Sequence, residues 1–172
     1  KDGAGNVLKV LGVAQDVTER KRAEEALQKS ESRYQKFFHK VPLAICHLTN
    51  EGVIDFRNER FNTAFGYTEQ ETPTAEAWWP LAYPDRAYQN WVIDTWMQGV
   101  QHAKDTDSDI AAVEYRVTCK SGEVRDFEIS GIALEDGDIL VTFIDVTERK
   151  RAEQLIHQYA SELELRVQER TE

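Results

Sequence analysis

The side chains of this 172-residue sequence that could carry out chemistry are few and scattered. Four histidines (His39, His47, His102, His157) and two cysteines (Cys46, Cys119) are the candidate nucleophiles, metal ligands or phosphoacceptors. His157 lies in a helix-forming stretch, but QYAS follows it, without the acidic neighbour and proline that a phosphoacceptor histidine motif requires. His39 stands at a helix end before Pro42, and His47 falls in an apolar, strand-like run, where it reads as a partly buried residue with its own partner. The cysteines have no CxxC or CxxCH context, so they read as two buried thiols rather than a disulfide or a haem attachment. The sequence has no phosphate-cradling glycine loop, no metal-ligand spacing and no nucleophile–base pair. No catalytic residue and no metal ligand is assigned, and catalysis by this chain is not expected.

Binding is the remaining chemistry, and the strands say where it would occur. Three β-prone runs, AAVEYRVTCK, VRDFEISGIAL and DILVTFIDV, are separated by turns at Ser121-Gly122 and Glu135-Asp136-Gly137. In the first, Val113, Tyr115, Val117 and Cys119 alternate with polar residues; in the second, Phe127 and Ile129 do so. Alternation of this kind gives a strand one core face. Both faces of the third are partly apolar, so its outer side is expected to be covered. Tyr115, Val117, Phe127, Ile129, Val141 and Phe143 therefore face the core side of the sheet, and they are the residues that would line any pocket there. Arg125 shares the parity of Phe127; if buried, it needs an acidic side chain or a ligand carboxylate. At the sheet edge it would simply face water.

Upstream, LAICHLT and VIDFRN form a hairpin about Asn50-Glu51-Gly52, and ERFNTAF reads as a helix ended by Gly66. In RAYQNWVIDTWMQGV, Tyr88, Val92, Trp96 and Val100 lie four apart, predicting a helix with one aromatic face. The preceding AWWPLAYPDR reads as core or as a lid, with Trp78 or Trp79 over the pocket; Trp79 joins the candidate set.

The nine residues DVTERKRAE occur twice, at Asp16–Glu24 and at Asp145–Glu153. A separation of this size suits a whole small domain rather than a solenoid unit. Residues 7 to 15, VLKVLGVAQ, then read as the last strand of a preceding copy. After the first phrase, residues 18 to 38 contain no Gly or Pro, and Ala23, Leu27, Ser30, Tyr34 and Phe37 form an a/d seam on a helix of about 30 Å. After the second, Ala152, Ile156, Tyr159 and Leu163 repeat that spacing. Leu163 with Val167 offers a competing register, a candidate bistable element. Asp145 and Glu148 read as a cap and its reciprocal partner at the start of the outgoing helix.

A net charge of −10 argues against a nucleic-acid partner, since the basic cluster ERKR sits beside acidic residues at a helix start, and 41% hydrophobic residues suffice for one sizeable core. No apolar run approaches a membrane span. A cytoplasmic location is expected for this piece, with a membrane-anchored parent left open. Lys1 begins in mid-phrase, so the chain is read as part of a longer protein.

The phrases LAICHLTNEGVIDFRNERFNTAFGYTEQE, EYRVTCKSGEVRDFEISG and DVTERKRAE, in that order, resemble a PAS domain of the PAS/PAC sensory-box type. The resemblance implies an α+β PAS fold: a five-stranded antiparallel sheet with helices over one face, linker helices at both ends, and a small-molecule pocket on the concave face, for which the inward residues Tyr115, Val117, Phe127, Ile129, Val141 and Phe143 are the candidates. It divides the chain into a remnant of an earlier PAS/PAC domain (1–17), a coiled-coil linker helix (18–38), a PAS domain (39–146) and an outgoing signalling helix (147–172). It implies that Asp145, Thr147 and Glu148 relay a change in the sheet to that helix. It also implies a sensor of a small molecule or packing change, most like those of sensor histidine kinases in two-component systems. A structural dimerisation module without ligand, or the sensor of a diguanylate cyclase, are the alternatives. Photoactive flavin-binding members carry a cysteine motif where this chain reads NERFNTAF, and haem-binding members need an axial histidine on the long helix, which His102 only follows; neither cofactor is expected. The expected partners are a second copy through the flanking helices, a small molecule and a C-terminal output domain in the same polypeptide.

On this reading Leu27→Asp, in the incoming seam, weakens self-association, and light scattering on the chain would show the loss of mass; an unchanged mass refutes the seam.

Overall fold

The computed structural model describes residues 18–134 and 136–171. The proposed remnant at 1–17, with its strand at 7–15, lies outside the described residues. The chain divides into two units, Lys1–Phe37 and Phe38–Glu172. Helix α1 (Thr18–Lys40) supplies all that is described of the first. Its seam residues Leu27, Tyr34 and Phe37 are exposed, Phe37 at 63%.

The second unit runs β1 (Ala44–Leu48), β2 (Ile54–Arg57), α2 (Glu59–Phe65), α3 (Ala75–Ala82), α4 (Arg86–Thr106), β3 (Ile110–Thr118), β4 (Val124–Ala133), β5 (Ile139–Asp145) and α5 (Thr147–Thr171). The strands form one antiparallel sheet in the order β2-β1-β5-β4-β3. The fold is the expected α+β arrangement, a five-stranded antiparallel sheet with helices over one face. Alternation explains the sheet's two sides: Tyr115, Val117, Phe127, Ile129, Val141 and Phe143 are all buried on the inner face. The outer face of β5 is only partly covered, with Leu140 half-buried and Ile144 exposed. Among the described residues no helix is long and apolar enough to cross a membrane.

An aromatic cluster fills the space between sheet and helices. Phe65 lies with its ring 4.7 Å from both Phe61 and Phe127 and 4.9 Å from Trp78, and Phe61 meets Phe143 at 5.3 Å. Tilted and edge-on pairs of this kind each add about 0.5–1.5 kcal/mol beyond the area they bury. Gly131 on β4 allows a further close approach: a Cβ there would lie 2.8 Å from Ile139, 2.9 Å from Ile110 and 3.3 Å from the Trp96 ring. Ile139 and Ile110 can therefore pack this closely over the strand because the position lacks a side chain, and the Trp96 indole of α4 gains a few tenths of an ångström of approach. Gly66 ends α2 at φ 77°, donating its amide to Asn62 O at 2.8 Å, a left-handed cap that favours glycine.

Asn58 joins these parts. It is fully buried, and its Oδ1 accepts from Ile45 N (3.1 Å) on β1 and from Phe61 N (2.9 Å) in the first turn of α2. Its Nδ2 donates to Phe38 O (3.1 Å) and Leu43 O (2.8 Å). The residue is the N-cap of α2, and the same side chain holds the segment entering β1. Asn58→Ala leaves four backbone groups without this partner and should lower stability by about 3 kcal/mol in urea denaturation. A loss under about 1 kcal/mol would show that water or relaxation replaces the amide.

Candidate functional site

Between the inner face of the sheet and α2–α4 lies a cavity of about 60 Å³. Its floor is Cys46 on β1, Val141 and Phe143 on β5, Ile129 on β4 and Tyr115 on β3. Trp78, Tyr83, Val92 and Phe61 close it from the helical side, and half-buried Leu48, Ile54, Ala75, Trp79 and Trp96 complete its wall. Burial pushes the Cys46 thiol up to about 12 and the Tyr115 phenol up to about 12. It drives Tyr83 higher still, against a lowering hydrogen bond from Trp78. Every titratable group on the wall is thus protonated and neutral at ordinary pH. Beside it, on β2, the buried Arg57 places its guanidinium 5.3 Å from the Phe61 ring centre and donates to Thr72 Oγ1 (2.8 Å) and Thr72 O. Its Nε is the one buried side-chain polar atom without a partner among the described residues. Burial lowers the Arg57 pKa, offset in part by Cys46 and Glu69.

A second constellation marks where β5 becomes α5. Val146 N donates to Asp126 O at 2.9 Å, extending the β4–β5 ladder by one residue, while Val146 O accepts the first helical bond from Lys150 N. The Thr147 hydroxyl accepts from Asp126 N (3.0 Å) and donates to Asp126 O (3.4 Å). The ammonium of Lys150 then bridges Asp126 (3.1 Å) and Glu114 (3.0 Å), and Arg149 reaches the other oxygen of Glu114 at 2.8 Å. The first turn of α5 is therefore fastened to two strands, β3 and β4, by backbone, hydroxyl and charge.

The family model described as the PAS fold matches residues 54–144, from the start of β2 to the end of β5. The chain belongs to the PAS-fold family. A solved PAS domain of an HTR-like protein from Haloarcula marismortui is 23% identical, with 73% of this chain and 98% of that one covered at a TM-score of 0.50. A sensory box histidine kinase/response regulator from Burkholderia thailandensis is 24% identical, covering 77% and 98% at 0.52. The PAS domain of a LuxR-family transcriptional regulator from Burkholderia thailandensis, solved in complex with ethanol, is 17% identical, covering 66% and 96% at 0.51. At these identities the likeness is one of fold. No curated protein matches the chain.

In this PAS domain Tyr115, Ile129, Val141, Phe143 and Trp79 line the cavity, whereas Val117 and Phe127 are buried in the core beside it. Arg125, named with the pocket candidates, does not turn inward and takes the sheet-edge alternative. Its guanidinium pairs with Glu123 (2.7 Å) and with Asp145 (3.6 Å) at the sheet's end, where the parity of a strand no longer points into a core. The capping box is corrected. Because the ladder claims Val146, the helix starts one residue late for it: Asp145 Oδ1 accepts from Thr147 N (2.9 Å), and Glu148 pairs with Arg151 instead. His102 corrects the sequence reading, because it lies on α4 rather than after it; its side chain is exposed there, as is that of His157 on α5. Trp78, read with Trp79 as a lid, lines the cavity too; sequence reasoning missed Cys46, Tyr83 and Trp96 as cavity residues and Glu114, Asp126, Arg149 and Lys150 at the exit. Only Asn58, a cap residue before ERFNTAF, carried a local signal.

Hydrogen bonds from Lys150 and then Arg149 hold the Glu114 carboxyl below its ordinary value. A carboxyl lowered by folding stabilises the folded form above its unfolded pKa of about 4.3 and loses that contribution as pH falls through the lowered value. Amide exchange in the first turn of α5, corrected for intrinsic pH dependence, should therefore accelerate toward acid in the parent chain. In Glu114→Gln it should already be faster at neutral pH and show less acid dependence; identical profiles would remove Glu114 from the junction.

Proposed function

We propose that this PAS domain is a sensory module that converts occupancy or repacking of its aromatic cavity into a change at α5, passed to a C-terminal output domain in the same polypeptide. The carrying observation is the bonded continuity from cavity to exit. Ile129 and Tyr115 line the cavity, and Asp126 and Glu114, on the same two strands, grip Thr147, Arg149 and Lys150. A shift of β4 relative to β3 would change the distance between Asp126 and Glu114, and Lys150 bridges both. The output we favour is a histidine kinase of a two-component system, in line with the sensory box kinase among the structural relatives; a diguanylate cyclase would be served by the same exit.

The helices give the module its second copy. Ile156, Tyr159 and Leu163 on α5 keep the predicted four- and three-residue spacing and are all exposed, Ile156 at 69%. Apolar residues at heptad spacing in water favour pairing with a like helix. Inverting a 1:99 population of two helix arrangements takes about 5.5 kcal/mol of differential binding, so a modest ligand biases rather than switches the pair.

A ligand-free dimerisation module is the second reading, and the small cavity favours it: ligand pockets commonly enclose about 300–1,000 Å³. Asp145→Ala and Thr147→Val, made in the protein with its output domain attached, should each change signalling output while leaving the unfolding transition of the sensor cooperative. Unchanged output in both variants would sink the relay.

A further inference from the structure

We infer that the cavity of this domain selects a small uncharged molecule, of the size of a short-chain alcohol or ketone, and excludes carboxylates of equal size. The inference rests on the sensory reading and narrows its ligand to a chemical class.

Size sets the first limit. One water needs about 10–15 Å³ by this measure, so about 60 Å³ accommodates roughly four to six water-sized positions. Charge sets the second. No Asp, Glu, Lys or Arg lines the wall; its polar atoms belong to Cys46, Tyr83, Tyr115 and the indoles of Trp78, Trp79 and Trp96. Burial keeps the thiol and both phenols protonated. Arg57, the buried cation on β2, is not part of the wall: its guanidinium sits against the Phe61 ring and is engaged by Thr72. A carboxylate entering would lose its hydration with no counter-charge to replace it, a loss that drives ions either to neutralise or to stay out. A single hydroxyl or carbonyl needs one partner only, and phenol, thiol or indole can supply it.

Rim and floor differ in a way that fits entry from one side. The floor residues Cys46, Tyr115, Ile129, Val141 and Phe143 are buried, whereas Leu48, Ile54, Ala75, Trp79 and Trp96 are half-buried. Ala75 is the smallest of these rim residues, so a longer side chain there would occupy the opening without touching the floor.

The test is methyl NMR on the 172-residue chain, titrated with 1-propanol and, separately, with acetate, which has the same number of non-hydrogen atoms, at neutral pH. Propanol should shift the methyl signals of Val92, Ile129 and Val141 saturably, acetate at the same concentrations should leave them in place, and Ala75→Met with retained spectral dispersion should abolish the propanol shifts. Equal or tighter response to acetate overturns the inference, as does absence of any propanol response. The sensory reading fails separately, through unchanged output in Asp145→Ala and Thr147→Val; a relay that responds to those variants in a chain blind to propanol refutes the ligand class alone.

Discussion

A buried side-chain amide has no water to satisfy it, so it must find its partners in the protein, and Asn58 finds four of them. Those four bonds tie the segment before β1, the start of β1 and the first turn of α2 to one point. Its own backbone adds a fifth tie, donating to Ile45 O at 3.0 Å. The consequences reach the cavity directly. Phe61, three residues on, both accepts the position that the cap fixes and forms part of the cavity wall, and Cys46, next to Ile45, forms part of its floor. A loose Asn58 would move two sides of the cavity at once.

Cavity and exit solve opposite physical problems within one sheet. The inner face is neutral and aromatic, where burial keeps thiol and phenols uncharged. The exit is a lattice of charges, Glu114, Asp126, Arg149 and Lys150, in which each carboxylate meets a cation. Exposed pairs of this sort contribute little stability individually. What they supply is direction: a bridged Lys150 and a two-way Thr147 hydroxyl define one orientation of the first helical turn, and the two strands that define it also line the cavity. One sheet accommodates both because its inner face and its end are made of different residues on the same strands.

Two cases show how local patterns fail at element boundaries. Arg125 had the parity of a core residue, yet parity predicts burial only where something lies over the strand, and at the strand's start Glu123 and Asp145 lie beside it instead. Asp145 and Glu148 had the spacing of a capping box, yet Val146 N was taken by Asp126 O across the sheet. The helix starts one residue later than the box requires, with Val146 N held by Asp126 and Thr147 N by Asp145. Asp126 for the cap and Asp145 for Arg125 lie on other strands, out of sight of local spacing, although Glu123 is only two residues from Arg125.

The sequence by itself determined the elements and their faces: alternation placed Tyr115, Val117, Phe127, Ile129, Val141 and Phe143 inward, the missing Gly and Pro from 18 to 38 gave an unbroken helix, and the repeated DVTERKRAE marked the exit. These are properties of spacing, and spacing is local. Tertiary structure alone decided which inward residues line a cavity and which fill the core, because that depends on how far the helices stand off the sheet. Gly131 lets Trp96 approach a few tenths of an ångström closer, and Phe65 fills the gap over Phe127. It also decided that Glu114 and Asp126, unremarkable polar residues on their strands, would meet Arg149 and Lys150, since only the antiparallel pairing of β3, β4 and β5 brings those positions to one end of the sheet.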